Sequence, residues 1–286
     1  MQTSLFEEAK RNLRLYKPLL TADINDKGVL DIDTVKGCTA GMNSRPNGGC
    51  YNSCYAAKIA KYRGIDFTVA VSRVAYSSKH RLEIEMAVRN APQGFFRIGV
   101  MGDPCHDWEH TVETVEWLGK FARPVIITKH WMKATEKQFE RLIKFDTVLN
   151  TSFSALDTES ELSHRHKEFY RYKNLGGQSV ARIISCDFNT SNPEGLRMQK
   201  IQGQLFLLNP TLDNPLRIPR THPLVINGIV NLTVAKDLES IRTVSLMNPE
   251  TYLGHCNECS ELCGISFFDN PRVYHKITLP ELFPND

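Results

Sequence analysis

Six times over about 180 residues, a short apolar run is followed by a helical stretch, and this alternation restricts the fold more than any other feature. Residues 29–35 read as the first strand, followed by apolar runs at 95–101, 124–128, 147–152, 179–185 and 204–208. Helical patterns fall between them. Residues 55–62 stop near Gly64, and residues 69–89 end before Pro92. In residues 111–121, Val112, Val115, Leu118 and Phe121 make one stripe at helical spacing. Thr135-x-x-Gln138 and Thr158-x-x-Glu161 have the form of capping boxes, the second opening a helix that closes near Gly176. Pro193 suits a helical first turn after Asn192. Strand-then-helix repetition implies parallel strands joined by helical crossovers. Six units fall short of the eight of a closed barrel, so the expectation is an α/β fold, a partial (β/α)6 barrel.

The pattern divides the chain into a lead-in over 1–28, the barrel over 29–210 and an extension over 211–286. The extension carries two apolar runs around Asn227-Gly228, the mark of a hairpin over 224–232, and a short helix near 235–242. It is expected to pack on the barrel. Lys plus Arg exceed Asp plus Glu by 35 − 32 = 3, and 41% of residues are hydrophobic, which excludes a disordered chain. No run approaches the roughly 18 apolar residues of a membrane span. The first residues lack the apolar core of a secretory signal, so the expected location is cytoplasmic, away from membranes.

Eight cysteines are present, and six of them fall in two groups, Cys38/Cys50/Cys54 and Cys256/Cys259/Cys263. Disulfide scaffolds belong to short secreted chains; in a reducing compartment, clustered thiols hold a metal or an iron–sulfur cluster. The first group lies where the first strand meets the first helix, the edge at which α/β barrels gather their chemistry. Three thiolates there could ligate three irons of a [4Fe-4S] cluster and leave the fourth open. Gly37, Gly41, Gly48 and Gly49 let the loop wrap closely. The alternatives are a zinc site or three unrelated core cysteines, although zinc knuckles favour C-x2-C pairs and need a fourth ligand.

The segment Gly49-Cys50-Tyr51-Asn52-Ser53-Cys54-Tyr55-Ala56 resembles the cluster loop of the radical S-adenosylmethionine (radical SAM) superfamily. The likeness is to its phage and prokaryotic branch, whose loop ends in Cys-Tyr-Ala and whose nearest characterised relative, at a distance, is spore photoproduct lyase. Residues 97–103 and Ile127-Thr128-Lys129 are similar to that branch's second and third barrel strands. The superfamily's usual loop is C-x3-C-x2-C, whereas here 11 and then 3 residues separate the cysteines.

The resemblance implies S-adenosylmethionine chelated at the open iron, cleaved by one electron to start radical chemistry, with a flavodoxin- or ferredoxin-type donor. It implies that Gly102 and Asp103 hold the methionine amino group and that Tyr55 lies against adenine. It also implies that Ser152 and Ser154 contact ribose or carboxylate, and that Arg182 pairs the methionine carboxylate. Plainer roles compete: Asp103 before Pro104 suits a turn, serines bond local backbone, and a strand Arg calls for a structural acid. Cys105 is a candidate catalytic hydrogen donor, set against inert packing, the role also open to Cys186. His106, Trp108, Lys129, His130, Trp131 and Lys133 would suit a base or nucleotide if they lined the barrel mouth.

Cys256-x2-Cys259-x3-Cys263, with His255 adjacent, could hold zinc or a second iron–sulfur cluster. The leading expectation is a radical SAM enzyme acting on a nucleic acid or nucleotide. The alternative is a zinc-stabilised nucleic-acid-binding protein without radical chemistry. A metal-dependent hydrolase is disfavoured, because that type needs His and Asp ligands at strand ends and no HExxH pattern occurs.

Overall fold

A computed structural model describes residues 19–25, 27–43, 54–214, 225–227 and 259–268. Strands β1 (Asp23–Ile24) and β2 (Leu30–Asp31) pair antiparallel, and β3 (Val35–Lys36) pairs antiparallel with β4 (Val71–Ser72). The parallel strands that follow are β5 (Phe95–Ile98), β6 (Arg123–Thr128), β7 (Val148–Ser154) and β8 (Gln178–Ile184). Then come β9 (Asp187–Phe188), β10 (Thr211–Asp213) and β11 (Val225–Asn227). The main sheet runs β1-β2-β5-β6-β7-β8-β10, so β2 and the five strands after it lie side by side in chain order. All five of those pairings are parallel. The sheet is open among the described residues, with β1 and β10 at its two edges.

Helices cover one face. Helix α1 (Thr39–Asn43) and α2 (Tyr55–Tyr62) follow the first strand, and α3 (Ser78–Arg89) is capped by Ser77. Then come α4 (Trp108–Leu118), α5 (Glu136–Ile143), α6 (Glu159–Asn174) and α7 (Pro193–Leu205). Thr135 and Thr158 form complete capping boxes, and Asn192 caps α7 with Pro193 in its first turn. Leu30, Ile32, Phe96, Ile98, Ile126 and Leu149 point to this side, packing with Ile84, Val112, Val115, Phe139 and Leu142. The alternate residues Val29, Phe95, Val125, Val148, Val180 and Leu212 point to the other face. Leu262, Cys263, Ile265 and Phe268 cover them, so the described part of the extension packs on the sheet.

Three expectations shift. The sixth strand is Thr211–Asp213, and Gln204 and Leu205 end helix α7. Ile201, Leu205 and Leu208 recur at helical spacing and pack together, and a short apolar run does not separate strand from helix. The helix expected over 69–89 begins only at Ser78; Val71 and Ser72 form a strand, consistent with β-branched Val69, Val71 and Val74. The first strand breaks after Asp31, its later part turning to pair with β4. Of the hairpin, β11 is described and pairs antiparallel with β9; the run after Asn227 and the helix at 235–242 lie outside the described residues. No described helix is long and apolar enough to cross a membrane.

Candidate functional site

Three chain segments meet at the carboxyl end of β2, and glycine allows the meeting. Gly37 has φ +87°, and a Cβ there would lie 2.2 Å from the Val69 carbonyl oxygen. A Cβ on Gly102 would lie 2.3 Å from the Val35 carbonyl oxygen. Gly37 and Gly102 form a parallel bridge, with the Gly37 amide donating to Met101 at 3.3 Å. Cys38 follows at once, its amide donating to Phe67 at 3.0 Å. Its Sγ accepts the Gly41 N–H at 3.3 Å. Burial, with the Asp103 carboxylate adding to it, pushes the Cys38 thiol up to about 12.

Cys54 stands at the N-cap of α2 without capping it through its side chain. A helix N-terminus favours thiolate over thiol. Cys38 and Cys54 pack into one small cluster with Ala56, Ala60 and Phe67, which Met42, Met101 and Trp131 border. The structure therefore brings these two cysteines together. Cys50 lies outside the described residues, as does the side chain of Tyr55.

Asp103 takes the turn role. Its Oδ1 accepts the Cys105 N–H at 3.1 Å and the Thr128 hydroxyl at 2.6 Å, and its Oδ2 accepts the Lys129 N–H at 2.8 Å. Cys105 is buried in the helix-side core, its thiol raised well above the ordinary range by burial and by Asp103. Cys186 is buried too, pushed up to about 12 by burial, with Asp187 and Asp213 adding. Ser154 accepts the Leu156 N–H at 3.2 Å, a local backbone bond. Ser152, by alternation with Val148, lies on the sheet face away from the helices and makes no side-chain hydrogen bond among the described residues. Arg182 donates to Asn214 at 2.9 Å and lies in electrostatic range of Glu261.

The aromatic and cationic group after β5 and β6 divides. Trp108 and His130 are core residues: their rings lie 5.6 Å apart and both pack on Phe139. Burial first, then the cations of His164, Arg165 and Arg171, pull the His130 imidazole down to about 3. Trp131 remains at the cysteine cluster, with the Arg165 guanidinium 4.7 Å and the Lys129 ammonium 5.9 Å from its ring.

Two features escaped the sequence reading. Asp157 is buried between Lys129 at 2.8 Å and Arg165 at 2.5 Å. Burial works against its charge, but the two cations outweigh burial and hold its carboxyl below the ordinary value. Asp157 sits directly before the Thr158 capping box, and nothing in the local sequence marks its partners. The second feature is Asp33, whose Oδ1 accepts the Val100 and Met101 N–H groups at 2.7 and 3.0 Å. It was hidden inside a run read as strand.

The second cysteine group lies elsewhere. Cys259 Sγ accepts the Glu261 and Leu262 backbone N–H groups, and Cys263 neighbours it. Cys263 adopts φ +55° and the following Gly264 φ +93°. The Cys263 carbonyl accepts the Asn150 side chain at 3.0 Å, and its Sγ is 4.0 Å from Arg97 Nη1. Cys256 lies outside the described residues, so each described pair is one thiol short of its group. Among the described residues no three His, Cys, Asp or Glu side chains stand together as a metal site. No family model matches the chain, and neither a curated protein nor a solved structure does.

Proposed function

We propose that the chain is a radical SAM enzyme, built on a partial (β/α)6 barrel, that cleaves S-adenosylmethionine reductively to start chemistry on a nucleotide or nucleic acid. The observation that carries this is the convergence of Cys38 and Cys54 at the carboxyl edge of the first strand in a parallel sheet ordered along the chain. The run of six parallel strands in chain order, joined by helices, supports the barrel reading.

The donor set fits a cluster, with Cys38, Cys50 and Cys54 as its ligands. Such a group supplies one electron to the sulfonium of S-adenosylmethionine. The protein's part is to hold and shield. Gly37 and Gly102 let the segments that carry Cys38 and Asp103 approach each other closely, and Met42, Met101 and Trp131 border the two cysteines. Ser152 offers a hydroxyl from the fourth parallel strand. Trp131, flanked by Lys129 and Arg165, suits a base or nucleotide, and this supports the substrate class. Cys256, Cys259 and Cys263 would hold a second metal, iron–sulfur or zinc, that anchors the extension.

Protein purified without oxygen tests the reading. The expected result is a brown protein that converts S-adenosylmethionine to 5′-deoxyadenosine and methionine when reduced. Iron and sulfide near four per chain mean one cluster, and near eight mean two. A colourless chain holding only zinc would instead establish the zinc-stabilised binding protein.

A further inference from the structure

Asp33 is buried, at 6% exposure, yet its carboxylate is only half used. Oδ1 takes both backbone N–H groups of the Gly99–Asp103 turn, and among the described residues Oδ2 accepts no hydrogen bond. Alternation from Val29 through Asp31 puts Asp33 on the face away from the helices, at the carboxyl end of the strand that leads to Cys38. The same face carries Ser152. The contrast with Asp103 is direct: Asp103 has both oxygens engaged, in three hydrogen bonds.

The charged groups acting on Asp33 are Arg73, Asp31 and Lys36. Arg73 spends its Nε on the Leu19 carbonyl at 2.7 Å and its Nη2 on Thr21 at 3.0 Å. Burial raises the Asp33 carboxyl above its ordinary value, while the two amides and Arg73 pull it back. Oδ2 is without a partner among the described residues but is not among the atoms sealed from solvent, so a bound molecule can reach it. A carboxylate oxygen left open at the end of a largely buried side chain is placed to accept a ligand's donor.

We propose that Asp33 is a ligand-binding carboxylate, whose Oδ2 takes a protonated amine or an N–H group of the molecule bound at this edge. The cofactor's amino group and an N–H edge of the substrate are the two sources of that chemistry. Only the cofactor arm of the test below rests on the radical SAM reading.

The variant Asp33→Asn keeps the shape and the oxygen that accepts both amides, while it removes the charge. The full chain, purified without oxygen, is examined with two probes. Methylammonium chloride, compared with sodium chloride at equal ionic strength, should raise the wild-type Tm and leave that of Asp33→Asn unmoved. S-adenosylmethionine affinity should fall by about tenfold to a hundredfold in the variant, the value of one charge-assisted hydrogen bond. A methylammonium response confined to wild type, with S-adenosylmethionine affinity unchanged, supports the site and makes the substrate its N–H source. That response without any S-adenosylmethionine binding to wild type leaves Asp33 standing and overturns the radical SAM reading. A lower S-adenosylmethionine affinity without the methylammonium response supports the site with the cofactor as donor. Both readouts unchanged between wild type and Asp33→Asn would overturn the Asp33 proposal, and the radical SAM reading would survive if S-adenosylmethionine still bound.

Discussion

The two cysteine pairs sit in opposite surroundings. Cys38 and Cys54 stand at the carboxyl edge of the sheet, where loops after several strands meet and Asp33, Asp103 and Asp157 are buried. Cys263 packs on the apolar floor made by Val29, Phe95, Val125, Val148, Val180 and Leu212, with Cys259 beside it. A floor of apolar side chains can bind a chain segment tightly, but its packing surface does not orient a reacting molecule. An edge with buried carboxylates and close-approaching backbone offers little packing gain and many oriented dipoles. On the proposed reading, the first pair serves chemistry and the second anchors the extension.

The largest expected effect tests the first half of that division. Cys38→Ala or Cys54→Ala should abolish 5′-deoxyadenosine formation, with iron content falling in parallel. Activity is read by chromatography of quenched reactions. Full iron and activity in Cys38→Ala would remove it from the ligand set. Replacing Cys256, Cys259 and Cys263 together should have the opposite profile: less metal and a lower Tm, with S-adenosylmethionine cleavage kept. If the triple variant also lost the first cluster, the two regions would not be separable.

The next effects are conformational. Gly102→Ala should cost on the order of 1–3 kcal/mol, the usual range for overpacking, because its Cβ would meet fixed backbone. Denaturant unfolding measures the loss, and cluster loading should suffer too, since Cys38 follows the displaced strand. Ile265→Ala, partly buried against the floor, should cost about 0.5–3 kcal/mol if the extension and sheet unfold together. A negligible cost would mean that residues 259–268 add little to the fold. Asp103→Asn should destabilise by about 1–3 kcal/mol, because an amide nitrogen in place of Oδ2 would face the Lys129 N–H. Its S-adenosylmethionine affinity should stay near wild type; a large loss would restore Asp103 as a cofactor ligand.

The order of the parallel strands was legible because apolar runs alternate with helical patterns, two of them opened by the capping boxes at Thr135 and Thr158. The sixth strand was not, because Leu205 serves a helix face while a three-residue strand leaves almost no pattern. The positions of Cys38 just past a strand and of Cys54 at a helix start could be read from the sequence. The roles of the acids could not, because both Asp33 and Asp103 follow or end a strand and only their hydrogen bonds tell them apart. The pairing of Asp157 with Arg165, eight positions later and across a helix turn, leaves no local mark.

The smallest effect separates the two regions by the sign of their response to acid. His130, below the carboxyl edge, has its folded pKa lowered to about 3. A group lowered in this way leaves the unfolded chain binding more protons below the ordinary imidazole value, so its contribution to stability shrinks as pH falls from about 6.5 toward 3. The slope is at most about 1.4 kcal/mol per pH unit. Glu261, beside the floor, has its folded pKa raised by burial, with Asp213 adding and Arg182 opposing. Its destabilising effect develops as pH rises through its unfolded and folded values, so acidification relieves it. Asp33 is raised as well and would blur the contrast at the edge, which makes Asp33→Asn the cleaner background. In that background, hydrogen exchange at pH 7 and pH 5 should show amides around β6 and α5 losing protection, after correction for intrinsic rates. Amides of residues 261–268 should hold or gain it. Equal losses in both regions would show that one global opening governs exchange, and that the edge and the floor are a single cooperative unit.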